Sequence, residues 1–497
     1  MTVAQQKALQ NLNEPGPKMT KYSVLMLPDL IVKNKRNILI LLLILSGAIF
    51  RVRVYQDSLS IGTADSAIFI QESKSPLSSW DFYTSNRPPT VGFFYKIMEP
   101  ASGYDLVLVS RAWEGTEPDR VVQPGLDRIA LMQSILSILA WSLLAWVVAF
   151  RLQTLLGKIM AVGLTLTFAY SPQMADWDGV LMSESLSFSL FVFLLSLLIE
   201  LAHRIKKEGL QATRVTWGLA VVWLLATSLW VFTRDSGAYG ILVTVLLLGM
   251  GFLLPPVRKR LPPMLVAFLF LSLSVVFIFH NATLRASDRW VNPLMNNLIK
   301  NIMPYPDRLE YFAGLGLPVT EELLSFVGSD GNETGIYDAE GLMPWVYESG
   351  FSAYQRYITA HPFLAIQRLY QNLDAVFVAN RQPYFRGSQQ STPLWMIPVG
   401  DILHLRDPIV LAVDLILTMV LVSAVLLFKR YSKIAWAIVF GWLFICELAL
   451  LFVSFHGDAL GVTRHTLGAV MPARLSMWLL GIVLIDTLIE IKQNKPL

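Results

Sequence analysis

Long apolar runs alternate with short polar connections along almost the whole chain. A helix that crosses a bilayer needs about 20 mostly apolar residues. Ten runs reach or approach that length, near 37–54, 128–150, 157–172, 182–202, 215–233, 237–257, 262–280, 408–428, 434–455 and 465–488. The third run is the shortest of the ten. Two polar stretches are long, 55–127 and 281–407. The second reads as mostly helical, from Trp290 to Met303 and from Tyr354 through Phe377, with a break at His361-Pro362 and a loop at Gly328 to Asn332. The pattern predicts an all-α membrane protein of about ten transmembrane helices, with a large first outer loop and a mostly helical outer domain.

Charge orients this frame. Lys33, Lys35 and Arg36 precede the first run. Arg151 and Lys158 lie between the second and third, and Arg204, Lys206, Lys207 and Arg214 between the fourth and fifth. Arg258, Lys259 and Arg260 follow the sixth, and Lys429, Arg430 and Lys433 follow the eighth. With alternating spans all of these share one side, and basic connections mark the cytoplasmic face. Both termini are then expected in the cytoplasm and the two long stretches outside, in a multi-pass protein of the plasma membrane. The expected organisation is a cytoplasmic segment 1–36, a transmembrane core 37–280 that includes the outer loop 55–127, an extracytoplasmic domain 281–407, a three-helix transmembrane part 408–488 and a cytoplasmic tail 489–497. The stretch before Lys33 lacks a cleavable signal pattern, so the first run is expected to stay as an anchor.

Composition agrees with lipid as the solvent. Of 497 residues, 54% are hydrophobic and 15% charged, against roughly 25% charged in a soluble domain. The net charge of +4 is modest, and nothing in its placement points to nucleic acid. The single cysteine, Cys446, lies inside an apolar run, which excludes an internal disulfide and a cysteine-based metal centre.

Polar chemistry gathers on the outer side, at the ends of different runs. Asp65 lies early in the first outer loop, ahead of Arg87-Pro88-Pro89. Asp176 and Asp178 flank Trp177, and Ser183-Glu184-Ser185 opens the fourth run. Arg234-Asp235 ends the fifth. His456, Asp458, Arg464 and His465 open the last. Carboxylates can act as a general base or hold a divalent ion against a phosphate, and arginines grip phosphate with charge-assisted hydrogen bonds. Plainer roles stand beside these. Asp65 can be a helix cap, Ser183 an N-cap with Glu184 favoured in the first turn, Arg234 a snorkelling cation and Arg87 a solvated loop charge. Asp176-x-Asp178 is a spacing that arises readily by chance. Three further ionisable residues, Asp414, Glu447 and Arg474, fall well inside runs. Buried charge is costly unless paired, so Arg474 is expected to pair with Glu447 or Asp414.

The order of these motifs resembles the GT-C superfamily of integral-membrane glycosyltransferases, and within it the branch of protein mannosyltransferases and lipid A aminoarabinose transferases. The resemblance rests on Ala64-Asp65-Ser66-Ala67-Ile68-Phe69 after the first span, Arg87-Pro88-Pro89 through Tyr95-Lys96, and Asp127-Arg128 opening the second. It continues with Tyr170-Ser171-Pro172, Leu181-Met182-Ser183-Glu184-Ser185-Leu186, Phe232-Thr233-Arg234-Asp235, and Asp458 through Arg464-His465. It is strongest over 37–260 and 456–488. It implies a GT-C-like fold and transfer of a sugar from a polyprenyl-phosphate-linked donor to a glycan, lipid or protein acceptor on the extracytoplasmic face. It further implies Asp65 as the base, Arg87, Arg234, Arg464 and His465 as donor-phosphate contacts, and Asp176, Asp178, Glu184 and Asp458 as additional site residues. Many relatives carry two adjacent acids where this chain has Asp65-Ser66, which favours a lone base over half of a local metal pair. No motif calls for a cofactor, although the carboxylates leave room for a divalent metal ion. Two other classes stay open: a transporter or flippase of lipid-linked sugars, which predicts repeats and broken helices near the midplane, and a non-catalytic scaffold.

Overall fold

The structure is a computed structural model that describes residues 22–55, 60–62, 64–104, 125–254, 258–259, 261–329, 335–383, 393–427 and 431–493. Arg260, Lys429 and Arg430 of the expected basic clusters lie outside these residues, as do positions 330–332 of the expected loop.

The described residues are built from helices, with no strand among them. In order come α1 (Tyr22–Tyr55), α2 (Ala64–Ser73), α3 (Pro89–Met98), α4 (Leu126–Arg151), α5 (Leu155–Tyr170), α6 (Ser183–Glu208), α7 (Arg214–Val231), α8 (Gly237–Leu253) and α9 (Pro263–Arg285). A lobe of short helices follows, ending in α10 (Pro362–Gln371), α11 (Leu373–Phe377) and α12 (Ile397–Leu403). The last three long helices are α13 (Ile409–Leu426), α14 (Ile434–Gly457) and α15 (Val462–Gln493). Among the described residues, eight helices are long and apolar enough to cross a membrane. The chain is an all-α, multi-pass membrane protein.

The expected third span is a broken one. α5 stops at Tyr170, and Pro172–Gly179 continues it after a bend of 51°. Pro172 supplies the break, since a proline ring removes a helical N–H and clashes with the preceding turn. The expected sixth span, α8, is only 17 residues long. Helix starts are set locally. The Thr154 hydroxyl accepts from Gly157 N at 3.0 Å and caps α5, Thr213 caps α7, and α3 and α9 open on Pro89 and Pro263, where a missing N–H costs nothing. Ser183 does not cap α6. Met182 holds that position without a side-chain bond, and the Ser183 hydroxyl lies 3.4 Å from Glu184 Oε2 instead.

One core joins α4 through α9 to α14 and α15, with Trp141, Phe168, Phe188 and Leu480 at its centre. A second, around Phe69, Val91, Tyr95, Ile129 and Leu186, seats α2 and α3 on the ends of α4 and α6. The lobe before α10 has its own core, around Met295, Phe312 and Leu342.

Arg474 corrects an expectation. It is buried in α15 but meets neither carboxylate. Its Nε donates to Leu405 O at 2.8 Å, and its Nη2 to Phe377 O at 2.8 Å and Ala379 O at 3.1 Å. The carbonyls of an irregular stretch of backbone outbid the acids because they have no helical partners of their own. Asp414 and Glu447 instead face one another inside the bundle, and Ser476 Oγ donates to Asp414 Oδ1 at 2.9 Å.

Candidate functional site

The backbone around Asp65 is positioned before the side chain acts. Ile61 N donates to Gly179 O at 2.8 Å and Leu181 N to Ile61 O at 3.0 Å, an isolated parallel bridge that ties the start of α2 to the start of α6. Ser66 Oγ donates to Leu181 O. Gln133 of α4 holds the other side of that turn, giving hydrogen bonds to Asp178 O at 2.9 Å and Val180 O at 3.0 Å. Asp65 therefore sits in the first turn of α2, where a carboxylate is favoured by the helix dipole.

Six ionic side chains from five parts of the chain meet here, joined by Asp458. Arg87 Nη2 contacts Asp65 Oδ1. Arg464 Nη1 lies 3.1 Å from Asp65 Oδ2, and its Nε 3.6 Å from Glu184 Oε1. Arg234 Nη1 lies 3.4 Å from the same Glu184 oxygen, and its Nη2 3.3 Å from His465 Nδ1. His465 Nε2 lies 3.5 Å from Asp458 Oδ2, and Asn296 Nδ2 donates to Asp458 Oδ1 at 2.9 Å. Because Arg234 can only donate, His465 Nδ1 is the acceptor and its proton belongs on Nε2, facing Asp458. The centre of the chain of contacts carries three guanidiniums against two carboxylates, Asp65 and Glu184. It retains a positive charge that suits an anion.

The site lies at one end of the bundle. Glu184 and Glu200 are on the same helix, and Glu200 marks the opposite, basic end, where Arg151 Nε donates to it at 3.1 Å and Arg204 Nε at 2.7 Å. Sixteen residues at about 1.5 Å each put Glu184 about 24 Å from that end, close to one face of a hydrocarbon core about 30 Å thick. A cavity of about 250 Å³ opens beside it, walled by Phe82, Tyr83, Phe93, Phe232 and Phe279. Thr90 N donates to Phe232 O at 3.0 Å. That bond joins the two segments that carry Arg87 and Arg234 and also wall the cavity.

Asp176 and Asp178 are not in this network. Asp178 is buried and pairs with Arg51 Nη2 at 2.9 Å, and Ser185 Oγ donates to it at 2.7 Å. Asp176 pairs with Arg381 Nη2 at 3.1 Å. Glu184 and Asp458, grouped with them on sequence, belong to the network instead. Among the described residues no three His, Cys, Asp or Glu side chains converge as ligands for a metal ion. The partners of Asp65 are guanidiniums, so the residues present do not fit a divalent ion there.

Glu72 and Asn296 escaped the sequence, as did the partners of Asp235, which the sequence placed only beside Arg234. Glu72 is seven residues from Asp65 on α2, hence on the same helical face. Burial pushes Glu72 up to about 7, against a hydrogen bond from Ser85 and the charge of Arg87. The i, i+7 spacing was the available signal. Asp235 faces His280 Nε2 at 3.0 Å and Arg289 Nε at 3.1 Å. Its burial acts to raise it, but the hydrogen bond from His280 and the Arg289 charge hold Asp235 below the usual carboxylate range. Asn296 reaches the site from the lobe, and no local pattern marks it.

No protein-family model and no curated protein matches this chain. Among solved structures, it is similar to the oligosaccharyltransferase of Archaeoglobus fulgidus tethered with an acceptor peptide, at 13% identity and TM-score 0.45 over 92% of this chain and 51% of that one. It is also similar to the oligosaccharyltransferase AglB of Archaeoglobus fulgidus in complex with an inhibitory peptide and a dolichol-phosphate, at 14% identity and TM-score 0.42 over 91% of this chain and 51% of that one. The chain spans about half the length of these proteins.

Proposed function

We propose that the chain is a membrane glycosyltransferase of the GT-C type. It moves a sugar from a polyprenyl-phosphate-linked donor to an acceptor on the extracytoplasmic face. The observation that carries this reading is the union of three arginines and two acids at one end of the bundle, beside an aromatic-walled cavity. A lipid phosphate needs both halves: cations for the headgroup and an apolar slot for the first part of the tail.

In this reading Arg87, Arg234 and Arg464 bind the donor phosphodiester. Taking up Arg87 and Arg464 releases Asp65 from its two cationic partners. Asp65 then accepts the proton of the acceptor group. The acceptor heteroatom forms its bond to the anomeric carbon, the carbon–oxygen bond to phosphate breaks, and the polyprenyl phosphate leaves with one more negative charge. The arginines stabilise that added charge, which develops only in the transition state. Glu184 keeps Arg234 and Arg464 aimed, and His465 and Asp458 fix the far side of Arg234.

The test uses purified protein in proteoliposomes with synthetic polyprenyl-phosphate sugars and a native membrane fraction as acceptor source. Acceptor-dependent release of polyprenyl phosphate supports the reading. Saturable binding of these lipids with no release across a panel of sugars overturns it.

A further inference from the structure

Buried cations in membrane helices are expensive, and among the described residues Arg474 makes no ion pair to offset the cost. Its three hydrogen bonds go instead to the carbonyl of Phe377, which ends α11, and to those of Ala379 and Leu405 in the non-helical backbone on either side of the segment holding α12. Neighbouring carbonyls are served the same way. Trp478 Nε1 donates to Leu403 O at 3.0 Å and Gln173 Nε2 to Ile397 O at 3.1 Å. Side chains of the bundle supply donors where a water-exposed loop would use water. Irregular backbone at membrane depth is tolerated only when protein satisfies it in this manner.

Depth can be read along α15. Asp486 binds the N–H groups of Gln153 and Thr154 and lies 3.4 Å from Lys433 at the basic end. Arg474 is twelve residues from it, about 18 Å, and Trp478 eight, about 12 Å. Their side chains lean toward the helix N-terminus, a few ångströms further. Both positions fall inside a core about 30 Å thick. α12 and the helical turn Leu394–Met396 that leads into it are apolar on one side, where Leu394, Trp395, Val399 and Ile402 are 64%, 65%, 41% and 61% exposed. Its other side turns Asp401 to Gln173 and Asn380. The exposed side continues a surface that already faces lipid. Trp395 packs edge-on against Phe50 of α1 at 6.1 Å, and Met396 shares a groove with Leu43 and Gly47.

We propose that residues 394–403 are immersed in the leaflet at the site end, with Leu394, Trp395, Val399 and Ile402 covered by acyl chains, and that Arg474 is the pin that holds this segment down. The partner of this surface is lipid, and the proposal does not depend on the transferase reading. Arg406, which is exposed and 3.5 Å from Asp401, reaches up to the phosphates.

The experiment places single spin labels in a Cys446→Ser background, in lipid nanodiscs, at Trp395→Cys and Val399→Cys. Ile49→Cys on the exposed side of α1 is the lipid reference, and the exposed Glu322→Cys in the lobe is the water reference. The ratio of oxygen to nickel-chelate accessibility is expected to lie nearer Ile49 than Glu322 at both positions. A ratio nearer Glu322 overturns the immersion. Arg474→Lys keeps the charge but loses the planar fork that serves three carbonyls. It is expected to raise nickel accessibility at both labels severalfold, and an unchanged ratio overturns the role of Arg474 as the pin.

Discussion

Glu184→Gln probes the centre of the ionic network. Glu184 is 1% exposed and receives Arg234 at 3.4 Å and Arg464 at 3.6 Å. The substitution keeps the shape and removes one charge, leaving two guanidiniums facing each other across an amide. Removing one partner from a buried pair costs about 3–5 kcal/mol. The two contacts here are long and the arginines retain some solvent, so the low end, about 3 kcal/mol, applies. At roughly 2 °C per kcal/mol for a chain of this size, the apparent melting temperature falls by about 6 °C. The assay is built into the molecule: Cys446 is the one cysteine and is buried, so a thiol-reactive fluorogenic dye in detergent reports unfolding. Because the carboxylate is buried, the deficit should persist in 0.5 M salt, where exposed pairs are screened. The same variant removes one carboxylate that competes with an anion for Arg234 and Arg464, so polyprenyl phosphate should bind it at least as tightly as wild type while transfer falls. Wild-type melting, or a deficit that vanishes in high salt, would refute the network as described.

The remaining predictions concern other parts of the fold. Glu72 has a folded value of about 7 against 4.5, so between these values the folded chain keeps a proton that the unfolded chain has lost. Stability then falls as pH rises from about 4.5 to 7, and Glu72→Gln should flatten that part of a melting-versus-pH curve. An unaltered slope counts against it. Arg51→Met strands buried Asp178 and should cost about 3–5 kcal/mol, with much of it regained in Arg51→Met/Asp178→Leu, as measured by melting of both variants. Gly400→Ala places a Cβ 1.8 Å from Gln173 Oε1. It should expel Gln173 from Asp401 and lower stability by about 1–3 kcal/mol, and wild-type melting of this variant would contradict the packing.

The transmembrane frame was legible because lipid imposes one rule on every span, and the apolar runs and basic connections obey it. The site was partly legible for a related reason. Asp65 lies in the loop after the first apolar run, and Glu184, Arg234 and Arg464 sit where a run begins or ends, so alternation alone puts them on one side. Asp176 and Asp178 satisfy the same rule, yet buried partners, Arg381 and Arg51, draw them elsewhere. Such partners lie far off in the chain and leave no local trace. Glu72 was hidden because residues 64–73 read as loop, which conceals the helical register shared with Asp65. Arg474 was misread because charge rules look for acids, whereas its partners are backbone carbonyls about 70 to 97 residues away, which no side-chain pattern records.

The central claim is that Asp65 performs the proton transfer while the arginines hold the lipid phosphate. The decisive measurement compares Asp65→Asn with wild type in proteoliposomes, reading acceptor-dependent transfer and polyprenyl-phosphate binding on the same preparation. The account predicts a loss of transfer of about 10²–10⁴-fold with binding retained or tightened, since Arg87 and Arg464 are released from their carboxylate. A folded Asp65→Asn protein that binds the lipid and transfers at the wild-type rate would contradict it.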